Sequence, residues 1–251
     1  MIIIFSGEGP TDIGTSKSAV SPCQPPDFIP GPMAALVDIA IERVFDYSPL
    51  DTTPASIWFI SETELNKRAK QQSKRSLTLR GSKGPEVETG FFHINAKILA
   101  QFALEKEAEH KDVSMAVLFR DHDGTRSTHA SLWETKVQSM HDGFHRAQYP
   151  RGVAMLPKPK SEAWLLCLAT NPLPQNCAAL EEISGNDDSP NSAKAQLDQA
   201  HGRHYSTPEL IAWIKQCDPD FDHLSNMPSF ARFRTQLHAV FDNLKSGGNT
   251  A

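Results

Sequence analysis

No stretch of this 251-residue chain is apolar for long enough to cross a bilayer. The apolar run after Met1 ends at Phe5, too short for the core of a secretory signal. A soluble, cytoplasmic protein is expected. Cysteine is scarce: Cys23, Cys167, Cys177 and Cys217 are scattered without a Cys-x-x-Cys pair. That argues against a zinc ribbon or a disulfide framework and for reduced thiols. Neither a phosphate-binding P-loop nor Gly-x-Gly-x-x-Gly is present, so an ATPase or a dinucleotide enzyme is not expected. Gly-x-Ser-x-Gly is absent too, and nothing recommends Ser/His/Asp hydrolysis. An excess of positive charge is also missing. The formal net charge is −5 and the pI near 6.0, which excludes a histone-like binder and leaves any nucleic-acid contact to a local patch. There is no internal repeat.

What is present is an alternation of strand-like and helix-like segments. Residues 1–5, 56–60, 113–119 and 152–156 are short apolar runs that read as strands. Between them, Met33, Leu36, Val37, Ala40, Ile41 and Val44 recur at helical spacing, as do Phe91, Ile94, Ile98, Leu99 and Phe102. Further helices are expected over 130–147 and from Ser161 onward. The alternation predicts an α/β fold with a mostly parallel sheet flanked by helices. Residues 16–32 hold Pro22, Pro25, Pro26, Pro30 and Pro32 and are expected to be an irregular excursion. After a Pro/Asn/Asp/Ser-rich loop at 171–191, helices are expected over 192–199, from Thr207-Pro208-Glu209, and over 229–244. The expected organisation is an α/β core over 1–170, a mostly helical C-terminal elaboration packed on it over 171–245, and a flexible tail over 246–251.

Two of the apolar runs end in acids. Glu8 and Asp12 lie just beyond the first, and Asp121-His122-Asp123-Gly124 just beyond the third. In open α/β sheets functional groups gather outside the carboxyl ends of the strands. Carboxylates at i and i+2 of an extended chain point the same way, and such oxygen donors suit Mg²⁺ or Mn²⁺. A phosphodiester can replace the waters on that ion, and Glu8 would be a further ligand or a general acid/base. The bland alternative is that Asp and Gly simply make turns. Arg126, Lys158 and Lys160 either hold a phosphate or belong to exposed loops. Glu162 stands in the first turn of a helix capped by Ser161, where the helix dipole favours it without any catalytic need. Lys67, Arg68, Lys70, Lys74, Arg75, Arg80 and Lys83 form the most basic segment. It reads as a solvated helix face or as an arm on phosphates, without the interleaved aromatics that base stacking needs. His141 and His145 have a zinc-compatible spacing but no evident third ligand. His122 contacts a phosphate or faces solvent, and His201 and His204 have no evident partner.

The glutamate after the first strand and the Asp-x-Asp after the later one resemble the signature of TOPRIM-type domains, most closely the TOPRIM-like families known as DUF4276 and RloB. Three more stretches resemble the DUF4276 pattern: Gly90-Phe-Phe-His-Ile-Asn95-Ala96, Pro157-Lys-Pro-Lys-Ser-Glu162-Ala163-Trp164-Leu165-Leu166, and Pro228-Ser229-Phe230-Ala-Arg-Phe233. The resemblance covers roughly residues 1–240. It implies a TOPRIM-like sheet and Mg²⁺-dependent phosphodiester cleavage of DNA or RNA. By position it implies metal ligation by Glu8, Asp12, Asp121, Asp123 and Glu162, with Glu8, Asp121 and Asp123 in catalysis; Lys160, as a phosphate-holding lysine beside the metal, is expected to join them. Asp12 stands where related families often carry Glu, which keeps the charge and shortens the reach. Members accompany mobile-element and phage-defence loci, often beside an ATPase, so a nuclease effector with a partner ATPase is expected. The alternative is a noncatalytic TOPRIM-like subunit that binds metal or nucleotide beside an ATPase; the acidic overall charge favours it, and the basic segment, with Lys74, Arg75 and Arg80 as phosphate contacts, favours the nuclease.

Overall fold

Ile2, Ile3, Ile4 and Phe5 are all buried in strand β1 (Ile2–Gly7). A strand covered on both faces reads as a continuous apolar run rather than an alternating one. The computed structural model describes residues 1–75, 89–122, 130–170 and 176–247. In it β1 is central, as is β5 (Ser114–Phe119), whose six residues are buried throughout. With β4 (Ile57–Phe59) and β6 (Gly152–Met155) they form one parallel sheet in the order β4-β1-β5-β6.

The chain steps outward from β1 to β4, returns across β1 to β5, and continues to β6. Strand order therefore reverses between β1 and β5. At such a reversal the crossovers diverge to opposite faces and leave a crevice at the strands' carboxyl ends.

Period-two alternation splits the strand side chains between two cores. Ile3, Phe5, Met115, Val117, Phe119, Val153 and Met155 face α1 (Pro32–Phe45). Ile2, Ile4, Ala116, Leu118 and Ala154 face α3 (Glu62–Arg75), α4 (Gly90–His110) and α5 (Ala130–Arg146). A single turn, α2 (Pro49–Thr52), is capped by Ser48, whose Oγ accepts from the Asp51 amide at 3.2 Å.

The C-terminal part joins the α1 side. It comprises α6 (Ser161–Ala169), a 3₁₀ segment (Cys177–Glu182), α7 (Ala193–His201), α8 (Thr207–Cys217), α9 (Phe221–Leu224) and α10 (Pro228–Gly247). Trp164 is its hub. The indole Nε1 donates to Ser229 Oγ at 2.8 Å, and the ring meets Phe230 edge-on at 5.0 Å and Phe233 at 5.5 Å. Two of the stretches singled out in sequence thus serve partly to pack on each other.

Three expectations are corrected. The proline-rich excursion contains a two-stranded antiparallel sheet, β2 (Gly14–Ser16) with β3 (Phe28–Pro30). Asp27 draws its arms together by accepting from the Ser16 and Ser18 hydroxyls at 2.8 and 2.7 Å, and Phe28 stacks on Phe59 at 5.0 Å. Helix α10 continues through Gly247, so the tail does not begin at Ser246, whose Oγ donates back to the Asp242 carbonyl at 2.7 Å; residues 248–251 lie outside the described residues. Cys167 and Cys177 form a disulfide rather than two thiols. The end of α6 and the start of the 3₁₀ segment meet in the core, a juxtaposition that a ten-residue spacing does not announce. Among the described residues no helix is long and apolar enough to cross a membrane.

Gly7 sets the separation of β1 from β5 at the crevice. It pairs with Phe119, and a Cβ on it would fall 2.5 Å from the Phe119 carbonyl oxygen and 2.9 Å from its Cβ. Backbone cannot yield as a flexible side chain can. Gly7→Ala is expected to lower stability by about 1–3 kcal/mol, measured by chemical denaturation. Gly90→Ala, where a Cβ meets nothing within 4 Å, is the control; equal midpoints for the two variants would refute the close approach.

Candidate functional site

Both inner strands deliver acids to the crevice. After Gly7 the chain stays extended at Glu8 and then makes one π-helical turn, Gly9–Ile13, which carries Asp12. Gly31 lets the start of α1 approach this turn, since a Cβ there would lie 2.2 Å from the Asp12 carbonyl oxygen. On the neighbouring strand Arg120 and Asp121 follow Phe119, and backbone bonds from Arg120 to Met155 and from His122 to Pro157 extend the pairing toward β6. The chain beyond β6 passes through Lys158-Pro159-Lys160 into α6.

The start of α6 ties these arms together. Ser161 N–H donates to Asp121 Oδ1 at 2.9 Å, and Ser161 Oγ donates to Asp12 Oδ1 and, at 3.4 Å, to Glu162 Oε2. Ser161 therefore does not cap α6 as the sequence suggests. Lys160 occupies the N-cap position, and Asp121 satisfies one free helix N–H from across the crevice. As a result Asp12, Asp121 and Glu162 each present an oxygen within 4.8 Å of the other two.

The energetic cost of this convergence falls on Asp12. Burial pushes its carboxyl up from 3.8 to about 6, and the neighbouring Glu162 charge adds to the rise, against the opposing Ser161 and Thr11 hydrogen bonds and the Lys160 charge. Three half-buried carboxyl groups with converging oxygens, one of them raised by burial and by its Glu162 neighbour, are a hard-oxygen donor set suited to a small divalent cation. The residues present fit Mg²⁺ or Mn²⁺ on those chemical grounds.

Glu8 belongs to a different arrangement. Its carboxylate pairs with the Arg120 guanidinium, which also pairs with Glu62, and its Oε1 accepts from the Asp121 amide at 3.2 Å. Arg120 lies over Phe91 at 4.5 Å and Phe92 at 5.2 Å, and Asn95 Nδ2 donates to Glu62 at 3.2 Å. Burial raises the Glu62 carboxyl despite Arg120. Glu8 thus reaches the converging acids through the backbone of Asp121, and it is not one of the three.

Lys158 pairs with Glu182 at 2.7 Å and Lys160 with Asp187 at 3.0 Å, so both lysines bridge to the C-terminal part rather than standing in an exposed loop. Asp123, Arg126 and Arg80 lie outside the described residues, and of Lys74 and Arg75 only the backbone, in the last turn of α3, is described. His122 is buried and does not face solvent. Its carbonyl accepts from Lys136 Nζ at 2.9 Å. His141 and His145 belong to no group of three potential ligands among the described residues. The two histidines without an evident partner have one: His201 stacks on Tyr205 at 4.1 Å, and His204 Nδ1 lies 3.1 Å from Asp198.

A pocket of about 130 Å³ opens beside Asp12 and Glu162, its far wall supplied by Lys194, His204 and Tyr205 of the C-terminal part. Arg120, Glu62 and Ser161 were missed as site residues from sequence. Arg120 carried a usable signal, since it occupies the same strand end as Asp121. Glu62 lies just beyond β4 and Ser161 just before Glu162, but nothing in the sequence paired Glu62 with Arg120 or Ser161 with Asp12 and Asp121. No protein-family model matches this chain, and no curated protein or solved structure matches it either.

The Asp12 shift predicts a pH signature. Because the folded state holds this proton up to about pH 6 while an ordinary carboxyl releases it near 3.8, Asp12 costs nothing below both values. The destabilisation grows between them and is complete above pH 6. Asp12→Asn is therefore expected to match the parent at pH 3.5 and to exceed it by up to about 3 kcal/mol at pH 7.5 without divalent ions. Denaturation across that range tests this; a pH-independent difference would refute it.

Proposed function

We propose that the chain is a TOPRIM-like, Mg²⁺-dependent nuclease that cleaves a phosphodiester of DNA or RNA. The single observation that carries this reading is the convergence of Asp12, Asp121 and Glu162 at the point where strand order reverses. Those three residues would hold the ion, with Asp123, two positions beyond Asp121, as the further ligand expected from sequence. A bound Mg²⁺ supplies charge neutralisation at the phosphoryl oxygens and a more acidic bound water.

The remaining work falls to the chain itself. Ser161 orients two of the carboxylates through its amide and hydroxyl. Lys160, whose charge is felt at Asp12, would steady a phosphate on exchanging its partner Asp187. Glu8 takes the proton-transfer role from a carboxylate already tethered by Arg120 and the Asp121 amide. The resemblance to DUF4276 and RloB-like proteins supports a role as an effector of bacterial anti-phage defence, with a partner ATPase.

A second reading has its own support. Lys158 and Lys160 are both engaged by acids of the same chain and the net charge is −5, which suits a noncatalytic subunit using the acidic crevice for metal or nucleotide binding beside an ATPase.

Two measurements on the same protein separate the readings. Mn²⁺ binding is expected in the parent and weakened more than about tenfold in Asp121→Asn and Glu162→Gln, since loss of even an outer partner costs that much. Labelled single- and double-stranded DNA and tRNA, incubated with Mg²⁺, Mn²⁺ or EDTA, are expected to be cut only with metal and only by the parent. Binding without cleavage supports the subunit reading; no binding overturns both.

A further inference from the structure

Cys167 near the end of α6, Cys177 at the start of the 3₁₀ segment and His223 in α9 come from three separate segments. Their two Sγ atoms and the imidazole nitrogen lie within 4.8 Å of one another, and His223 Nε2 is 3.3 Å from Cys177 Sγ. Both cysteines are fully buried. A disulfide needs no imidazole at its sulfur, yet His223 is held there. The Asp220 carboxylate accepts from the amides of Asp222 and His223 at 2.9 Å each and so sets the turn that presents the ring. Two sulfurs and an imidazole nitrogen are the soft-to-borderline donor set of zinc, the opposite of the carboxylates at the other end of α6.

We propose that Cys167, Cys177 and His223 form a zinc site that opens when the disulfide is reduced. A dithiol reductant supplies two electrons and two protons and leaves as its own disulfide; the Cys167–Cys177 S–S bond breaks and two thiols form. Zn²⁺ then displaces both thiol protons to solvent and is bound by two thiolates and His223, with water in the fourth tetrahedral position. With Zn–S near 2.3 Å the two sulfurs stand about 3.8 Å apart, a change that side-chain rotation accommodates between Cα atoms 5.6 Å apart. The site is independent of the carboxylate cluster in its ligands but shares α6 with it, so the ion holds the helix that presents Ser161 and Glu162.

The test uses the full chain, oxidised or reduced with a dithiol under anaerobic conditions, equilibrated with Zn²⁺ and then desalted. About one zinc per reduced chain and none per oxidised chain is expected, and Co²⁺ in place of zinc should give a thiolate-to-metal absorption band in the near ultraviolet. His223→Ala and Cys177→Ser should weaken zinc binding more than about tenfold. Cys23→Ser and Cys217→Ser should retain it, which excludes the two remaining thiols. Asp121→Asn and Glu162→Gln should also retain it, so failure of the carboxylate reading leaves this one standing. The oxidised-against-reduced comparison on the parent needs no variant to fold. The proposal is overturned by absence of zinc from the reduced parent, by undiminished zinc in a folded His223→Ala, or by a disulfide that the dithiol does not open in the native chain.

Discussion

The in-register pairing of β1 with β5 is the constraint from which the rest follows. Six consecutive pairs, from Ile2 with Ser114 to Gly7 with Phe119, bring the two strands to the same edge of the sheet and stop them there together. Because both are buried on both faces, slippage by one residue would exchange the residues facing the two cores. Gly7 allows the approach, and the first residues free of the ladder are Glu8 and Arg120, which meet as an ion pair. The crevice is a consequence of where this ladder ends.

Charge is sorted at that edge into two kinds of carboxylate. Glu8 and Glu62 share one partly buried guanidinium, supported by Phe91, Phe92 and Asn95. Asp12 and Glu162 take the Ser161 hydroxyl and Asp121 the Ser161 amide, and the Lys160 charge also bears on Asp12. The difference shows in Asp12, whose proton affinity rises because burial penalises its charged form and Glu162 stands beside it. One acidic pair is thus held by an arginine, and the other three acids are gathered around Ser161 at the start of α6.

The C-terminal part completes the crevice rather than hanging from the core. Trp164 and Ser229 join α6 to α10, and the Lys158–Glu182 and Lys160–Asp187 pairs cross from the loop before α6 to the segments after it. Such exposed ion pairs add little stability by themselves. Their effect is positional: they tie the loop before α6 to the C-terminal part, with the Lys160 charge reaching Asp12. The Cys167–Cys177 bond and His223 secure the opposite end of the same helix.

The local pattern of residues determined a good deal. The apolar runs at Ile2 to Phe5 and Met115 to Phe119 specified buried strands, the spacing of Met33, Leu36 and Val37 a helix, and the alternation of the two a parallel sheet, because burial period is a property of neighbouring residues. Strand-end position was enough to single out Glu8, Asp12, Asp121 and Asp123, and the resemblance added Glu162. What only the tertiary structure decided is which acids converge and which are neutralised. Glu8 goes to Arg120 and Asp12 to Ser161, Cys167 finds Cys177 and His223, and Asp27 closes a sheet across a run of prolines. Each of these depends on side chains brought together from separate segments, and sequence spacing carries no record of which distant segments the packed core will place within a few ångströms of each other.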